Sequence, residues 1–185
     1  MMETKTDKRI VEASGKLLAE NGPGAFSLEM LSIQPEMQGL DIFRMVRKEE
    51  EIFDQIFLQL EIELNELVDR ISSDQISPIL EFEILFRQLH RLFKQKPYYL
   101  TVIFNKDIRR KYSNAENFIS RIKGIAKGYL TGVIARGKAK GFFSTEINSK
   151  IMVKKILSSF QVLMNDMQKA DKMIREIKKY QSETD

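Results

Sequence analysis

From Val46 onward the apolar residues of this 185-residue chain recur three and four apart, and no stretch alternates long enough to argue for a strand. A chain so patterned buries its apolar surface by packing helix on helix. Glu49 to about Ile71 sets Ile52, Ile56, Leu60, Leu64 and Leu67 on one face of a long helix. Ser77-Pro78 supplies an N-cap and a first-turn proline for the next, whose stripe is Phe82, Leu85, Phe86, Leu89 and Phe93 and which ends at Lys96-Pro97. Tyr98 to about Phe104 begins another helix, running irregularly to Tyr112. Ser113-Asn114-Ala115-Glu116 has capping-box spacing and opens a helix to about Lys138. Gly137 to Ser144 reads as a turn. A last long helix is expected from near Thr145 to about Tyr180, broken near Asp166. There are no internal repeats, low-complexity tracts or long linkers.

The first fifty residues are cut into shorter pieces. Ile10, Ala13, Leu17 and Leu18 mark a helix that stops at Glu20-Asn21-Gly22-Pro23-Gly24. Ala25 opens a second segment ending near Gln34, and Gln38 to Val46 forms a third. Three short helices with these anchors suit a unit built around a helix-turn-helix, whose second helix enters the DNA major groove.

Leu17-Leu18-Ala19-Glu20-Asn21-Gly22, followed by Ala25-Phe26-Ser27-Leu28, resembles the N-terminal signature of the TetR family of bacterial transcriptional regulators. Met37, Ile42, Phe43 and Val46 fall where that family keeps hydrophobic positions around its recognition helix. Lys48-Glu49-Glu50-Glu51-Ile52 resembles its Ser-Lys-Glu-Glu-Leu start of helix four. The match covers roughly residues 7–55. The remainder is similar in size and helical character to the family's ligand-binding and dimerising domain. The resemblance implies an all-α fold: a three-helix head over residues 1–47, joined by a long helix to a helical ligand-binding and dimerisation bundle over 48–185.

The chain departs from the family at the turn. Where the family usually has Ala-Gly-Val, this sequence has Pro35-Glu36-Met37. Pro35 also pushes Gln34 away from helical angles, so helix two is expected to end early. The family then tends to Ser-Lys-Gly-Thr-Leu-Tyr-His-His-Phe; here the run is Gln38-Gly39-Leu40-Asp41-Ile42-Phe43-Arg44-Met45-Val46. Gly39 replaces a phosphate-touching lysine, Phe43 lacks the tyrosine hydroxyl, and Asp41 puts a negative charge where a helix would face DNA. The family's later lysine falls on Glu49, with Lys48 beside it as a substitute.

The net charge of +4 is unevenly spread. Residues 1–50 carry seven Lys/Arg against nine Asp/Glu, residues 51–100 five against nine, and residues 101–185 eighteen against eight. Phosphate contacts supply most nonspecific DNA affinity, so a reading head is ordinarily basic. Here Lys5, Lys8 and Arg9 at one end, and Arg44, Arg47 and Lys48 at the other, are the cations that flank a backbone. With no cysteine, the chain has no disulfide, thiol nucleophile or thiolate metal site. Met1 to Arg9 is charged and unlike a signal peptide, and no run approaches the ~18 apolar residues of a membrane span. A cytoplasmic protein without a membrane partner is the expectation.

Gly124, Gly128 and Gly132 recur every four residues in the helix opened by Ser113, on another face from Ile122, Ile125, Tyr129 and Val133. Such a stripe permits close approach of a second helix, lines a cavity, or is tolerated at the surface. Ile151, Met152, Val153, Ile156, Leu157, Phe160, Leu163, Met164 and Met167 cover an arc wider than one packing partner requires. The family resemblance implies a homodimer, and these two helices are the candidates for it; the alternative is that both close the monomer's own core.

The resemblance also implies a hydrophobic small-molecule effector, for which Phe86, Phe93, Tyr99, Phe104 and Tyr129 are the candidate ligand-binding residues, although aromatics at helical spacing are core more often than pocket. His90 stands on the polar side of its helix, with no second histidine or cysteine to complete a metal set. Glu61/Glu63 and Glu81/Glu83 are two apart and diverge on a helix. No phosphate-binding glycine loop or nucleophile–base motif is present. Neither catalysis, a metal nor a cofactor is expected.

Three readings follow. In the first, a TetR-like regulator binds DNA through Ser27, Arg44, Arg47 and Lys48 on the phosphates and Gln38 on an adenine edge, and answers to an effector. In the second, a dimeric ligand-binding or interaction protein of the same fold has lost specific DNA binding. In the third, the basic C-terminal half, with Arg109-Arg110-Lys111 and Lys178-Lys179, binds a polyanion or an anionic membrane surface.

Overall fold

The computed structural model describes residues 8–73, 76–146 and 148–178; Lys5 and Lys179 lie outside them. Ten α-helices follow one another and no strand occurs among the described residues: α1 (Lys8–Asn21), α2 (Leu28–Ser32), α3 (Ile42–Met45), α4 (Glu49–Ser73), α5 (Pro78–Gln95), α6 (Tyr98–Phe104), α7 (Lys106–Lys111), α8 (Ala115–Ala139), α9 (Ser149–Asn165) and α10 (Met167–Lys178). No described helix is long and apolar enough to cross a membrane.

The helix boundaries have local causes. Ser77 Oγ accepts from the Leu80 amide and starts α5. Asn105 Oδ1 takes the amides of Asp107 and Ile108, ending α6 and starting α7. Asp166 does the same between α9 and α10, taking the Gln168 and Lys169 amides, so the break expected there is present. These side chains offer backbone donors an alternative to the continuing ladder. The last long helix starts four residues later than expected, at Ser149, because Asn148 caps it through the Ile151 amide.

The chain packs as two compact units. One comprises Met1–Ile62 with Gln95–Ser120, the other Glu63–Lys94 with Arg121–Asp185. The boundary expected between residues 47 and 48 falls inside the first. In that unit Ile10, Leu18, Leu31, Met37, Ile42, Ile52, Phe53, Ile56 and Phe57 are fully buried, each worth about 1.5–3 kcal/mol on removal from water. Phe53 on α4 stacks on Tyr112 at 4.1 Å and meets Phe26 edge-on at 5.3 Å, while Phe57 stacks on Phe118 at 5.5 Å. α1 packs on α6, where the Tyr98 ring lies against Gly15.

In the second unit α5 buries Phe82, Leu85, Phe86, Leu89 and Phe93, the expected stripe. Phe82 meets Phe143 edge-on, and Phe93 meets Phe160 likewise. The Phe143 ring sits where a Cβ at Gly137 would be, so only glycine fits there. His90 Nδ1 is 3.1 Å from the Met164 carbonyl, an arrangement in which the nitrogen donates. Ile122, Tyr129 and Val133 are buried and Ile125 is half-buried, whereas Gly124 and Gly128 are exposed; Gly132 is half-buried, so two of the three glycines lie away from the buried face.

Candidate nucleic-acid interface

The head is built on α1, α2 and α3. Ser27 caps α2, its Oγ accepting from the Met30 amide at 3.2 Å. α2 stops at Ser32, ending early as expected, because Gln34 takes an extended ψ of 142° ahead of Pro35. Pro35–Met37 is a single 3-10 turn. Its Glu36 is tied to Lys16 on α1 at 2.9 Å, and this hydrogen bond holds the Glu36 carboxyl below the usual glutamate range. Gly39 follows at φ +80°, a left-handed conformation open to glycine, and turns the chain into α3.

α3 spans only Ile42–Met45, four residues where a helix from Gln38 was expected. Asp41 is the reason. Its Oδ1 caps the helix through the Arg44 amide at 3.1 Å, so the helix starts after it and not before. Gln38 therefore lies on an exposed loop ahead of α3, following the 3-10 turn. Met37, Ile42 and Val46 are buried, whereas Phe43 is 55 % exposed. Arg44, Arg47 and Lys48 are all exposed, and no ion pair engages their side chains among the described residues. Ser27 is partly exposed. Beside these groups stand Ile33, 71 % exposed, and Met30 and Met45, also exposed.

Directly behind α3, the start of α4 is fastened to the α7–α8 junction. Lys111 Nζ is 2.6 Å and Tyr112 Oη 3.0 Å from Glu49 Oε2. Glu50 Oε1 accepts from both the Ser113 amide and hydroxyl, and Asn114 Nδ2 donates to Asp54 Oδ2. The Ser113 bonds pull the Glu50 carboxyl below its ordinary value, whereas burial raises that of Asp54. Burial also pushes the Tyr112 phenol up to about 12. The capping box expected at Ser113 and Glu116 does not form: Ser113 serves Glu50, and Glu116 takes both Nε and Nη2 of Arg109.

Of the basic run at 109–111, Arg109 and Lys111 are thus held in ion pairs and only Arg110 is left. Among the ligand candidates, Phe86, Phe93 and Tyr129 are buried in the second unit and Tyr99 in the first, with Phe104 half-buried in the first. Each of the four buried rings is a core side chain. Sequence reasoning missed Glu81. This carboxylate is 5 % exposed and accepts on Oε2 from Arg136 Nη2 at 2.5 Å and Tyr129 Oη at 3.3 Å. Burial first, then Glu81, keeps the Tyr129 phenol protonated. The available signal was its position: Glu81 precedes Leu85 by four residues and so falls on the apolar stripe.

No protein-family model matches the chain, and no curated protein matches it. Solved structures do. AibR in complex with isovaleryl coenzyme A and operator DNA is 13 % identical, with a TM-score of 0.71 over 91 % of this chain and 95 % of that one. The fatty acid degradation regulator FadR from Bacillus halodurans is 18 % identical, with a TM-score of 0.64 over 92 % and 91 %. A TetR-family transcriptional regulator from Haemophilus influenzae is 14 % identical, with a TM-score of 0.58 over 97 % and 98 %. The chain has a TetR-like, all-helical fold.

Proposed function

We propose that this chain is a transcriptional regulator, a cytoplasmic homodimer that binds duplex DNA through residues 1–47 and a small hydrophobic effector through residues 48–185, with no catalytic step. The supporting observation is the set of exposed cations Arg44, Arg47 and Lys48 in and just after α3, in no ion pair within 4 Å among the described residues, on a fold shared with a regulator captured on its operator. In this reading the three cations hold phosphates. Ser27, whose oxygen caps α2 and whose hydroxyl meets the Glu29 carboxylate, stands at the start of α2, where turning the hydroxyl outward gives it to a phosphate oxygen. Gln38, on its loop, offers its amide to an adenine edge. Pairing of Glu36 with Lys16 reduces the repulsion an acidic head would feel.

The effector acts by differential affinity for two spacings of the paired heads. The ties from Glu49, Glu50 and Asp54 to residues 111–114 fix the start of α4, directly behind α3, and make that spacing sensitive to α8.

Binding to fragments of the protein's own genomic neighbourhood, in moderate salt with excess competitor, tests the proposal. Saturable binding that falls at least about tenfold in the Arg44→Glu/Lys48→Glu variant, with a shallower salt dependence, supports it. Undiminished affinity in that variant rejects the assigned contacts.

A second reading is supported by the short α3 and by Ile33 and Phe43, 71 % and 55 % exposed where a reading head displays polar groups. In that reading the head is an interaction surface without operator specificity. A folded dimer that binds no fragment favours it, and a footprint on one operator rejects it.

A further inference from the structure

α3 is a single turn whose residues divide into two kinds. Ile42, and Val46 just beyond the turn, are 1 % exposed and hold it to the head. The other three, Phe43, Arg44 and Met45, face outward. The Phe43 ring pairs with no other aromatic ring among the described residues. An exposed phenyl ring forgoes the burial that a core phenylalanine gains, and it has no group with which to hydrogen-bond a partner. Whatever covers it must offer it apolar surface.

The neighbours of the ring narrow that choice. Arg44 follows it directly, and Arg47 and Lys48 come within five residues of it. All three are exposed and in no ion pair within 4 Å among the described residues. The nearest carboxylates in sequence have other partners: Asp41 Oδ1 caps α3, and Glu49 Oε2 holds Lys111 and Tyr112. An apolar ring among free cations fits a partner that is anionic at its rim and apolar at one point inside. The major groove of duplex DNA is such a surface. Phosphates line its edges, and the C5-methyl of thymine is the apolar group on its floor.

We propose that Phe43 is a specificity-determining residue whose ring packs on the C5-methyl group of one thymine in each half-site, while Arg44, Arg47 and Lys48 hold the flanking phosphates. The inference rests on the regulator reading above and names what its third helix reads. With Gln38 on an adenine edge, the head selects A·T pairs twice, once by hydrogen bonding and once by apolar contact. Cytosine has no methyl at C5 and presents an amino group, which the ring cannot pair. Burying one methyl group is worth about fourfold in affinity, so a dimer reading two half-sites gains about tenfold or more from the pair.

Uracil scanning tests it. Duplexes that the full chain retains from a random-sequence pool are narrowed by footprinting and remade with deoxyuridine at one thymine at a time. Each exchange removes the methyl and leaves base pairing and the O4 acceptor intact. At one thymine per half-site, uracil should weaken wild-type binding about fourfold. Phe43→Ala, at an exposed position that leaves helical content unchanged, should bind the thymine duplex more weakly and no longer distinguish uracil from thymine there. A wild-type chain indifferent to every uracil, or a Phe43→Ala protein that keeps the full uracil penalty, overturns the contact while leaving the regulator standing. A folded chain that retains no duplex from the pool overturns both.

Discussion

Glu50 accepts two hydrogen bonds from one residue: Ser113 approaches its Oε1 with the backbone amide at 2.9 Å and the hydroxyl at 2.5 Å. A side chain on α4 thereby does for the start of α8 what a local cap would do, across sixty-three positions of sequence. The consequence is a pH dependence. The folded protein holds Glu50 below the ordinary value of 4.5, through Ser113. A carboxylate with a lowered folded pKa stabilises fully above its unfolded value, and that contribution disappears as pH falls through the folded value. Thermal midpoints measured downward from pH 5 should fall, and Glu50→Gln should flatten part of that fall. Asp54, raised by burial, acts with the opposite sign, so Asp54→Asn should steepen it.

The Glu81–Arg136 pair should respond unequally to removal of its partners. Glu81 is 7 % exposed at its side chain and Arg136 45 %. Arg136→Met strands a buried carboxylate with Tyr129 as its one donor, at a cost of about 3 kcal/mol in urea unfolding. Glu81→Gln leaves a half-exposed guanidinium that water can solvate, and should cost less. The double variant should recover part of the loss. An Arg136→Met protein as stable as the wild type would mean the carboxylate takes up a proton or a water at no expense.

The glycines of α8 divide into two kinds. Gly137→Ala drives a methyl into the Phe143 ring and should destabilise by about 1–3 kcal/mol. Gly124→Ala and Gly128→Ala meet nothing and should each stabilise the isolated chain by about 1 kcal/mol through helix propensity. Urea unfolding of each variant reads both effects.

Ser14 on α1 is fully buried, and its Oγ has no hydrogen-bond partner among the described residues. An unsatisfied hydroxyl costs about 1–3 kcal/mol, so Ser14→Ala should raise the unfolding free energy by about 1 kcal/mol or more. A lowered midpoint would show that the hydroxyl is satisfied in solution.

The helices beyond residue 46 were legible because they are amphipathic and end in short-range signals. Ser77-Pro78, Lys96-Pro97 and Asp166 act within four residues of where they sit. The head was legible in its anchors, Ile10, Leu17, Leu18, Met37, Ile42 and Val46, all of them buried. Its third helix was misjudged because Asp41 looked like a charge facing a partner when it is a cap. Ser113 misled in the reverse sense: its spacing to Glu116 fits a local capping box, but Glu50 and Arg109 compete for the two partners from outside. Glu81 was passed over because carboxylates two apart diverge, which is true of Glu81 and Glu83 and says nothing of what either meets across the core. No local pattern encodes a long-range ion pair.

The bond from His90 to the Met164 carbonyl makes the chain its own spectrometer. The sequence holds one histidine, so the imidazole gives a single set of nitrogen-15 and proton resonances with no assignment to make. A carbonyl cannot donate, so the bonded nitrogen carries the hydrogen and the neutral ring is confined to one tautomer. That tautomer has a distinct nitrogen shift. Any event that moves the end of α9 away from α5 would release the ring and average the two forms, and the signal would report it in unlabelled surroundings, without a dye or a tag.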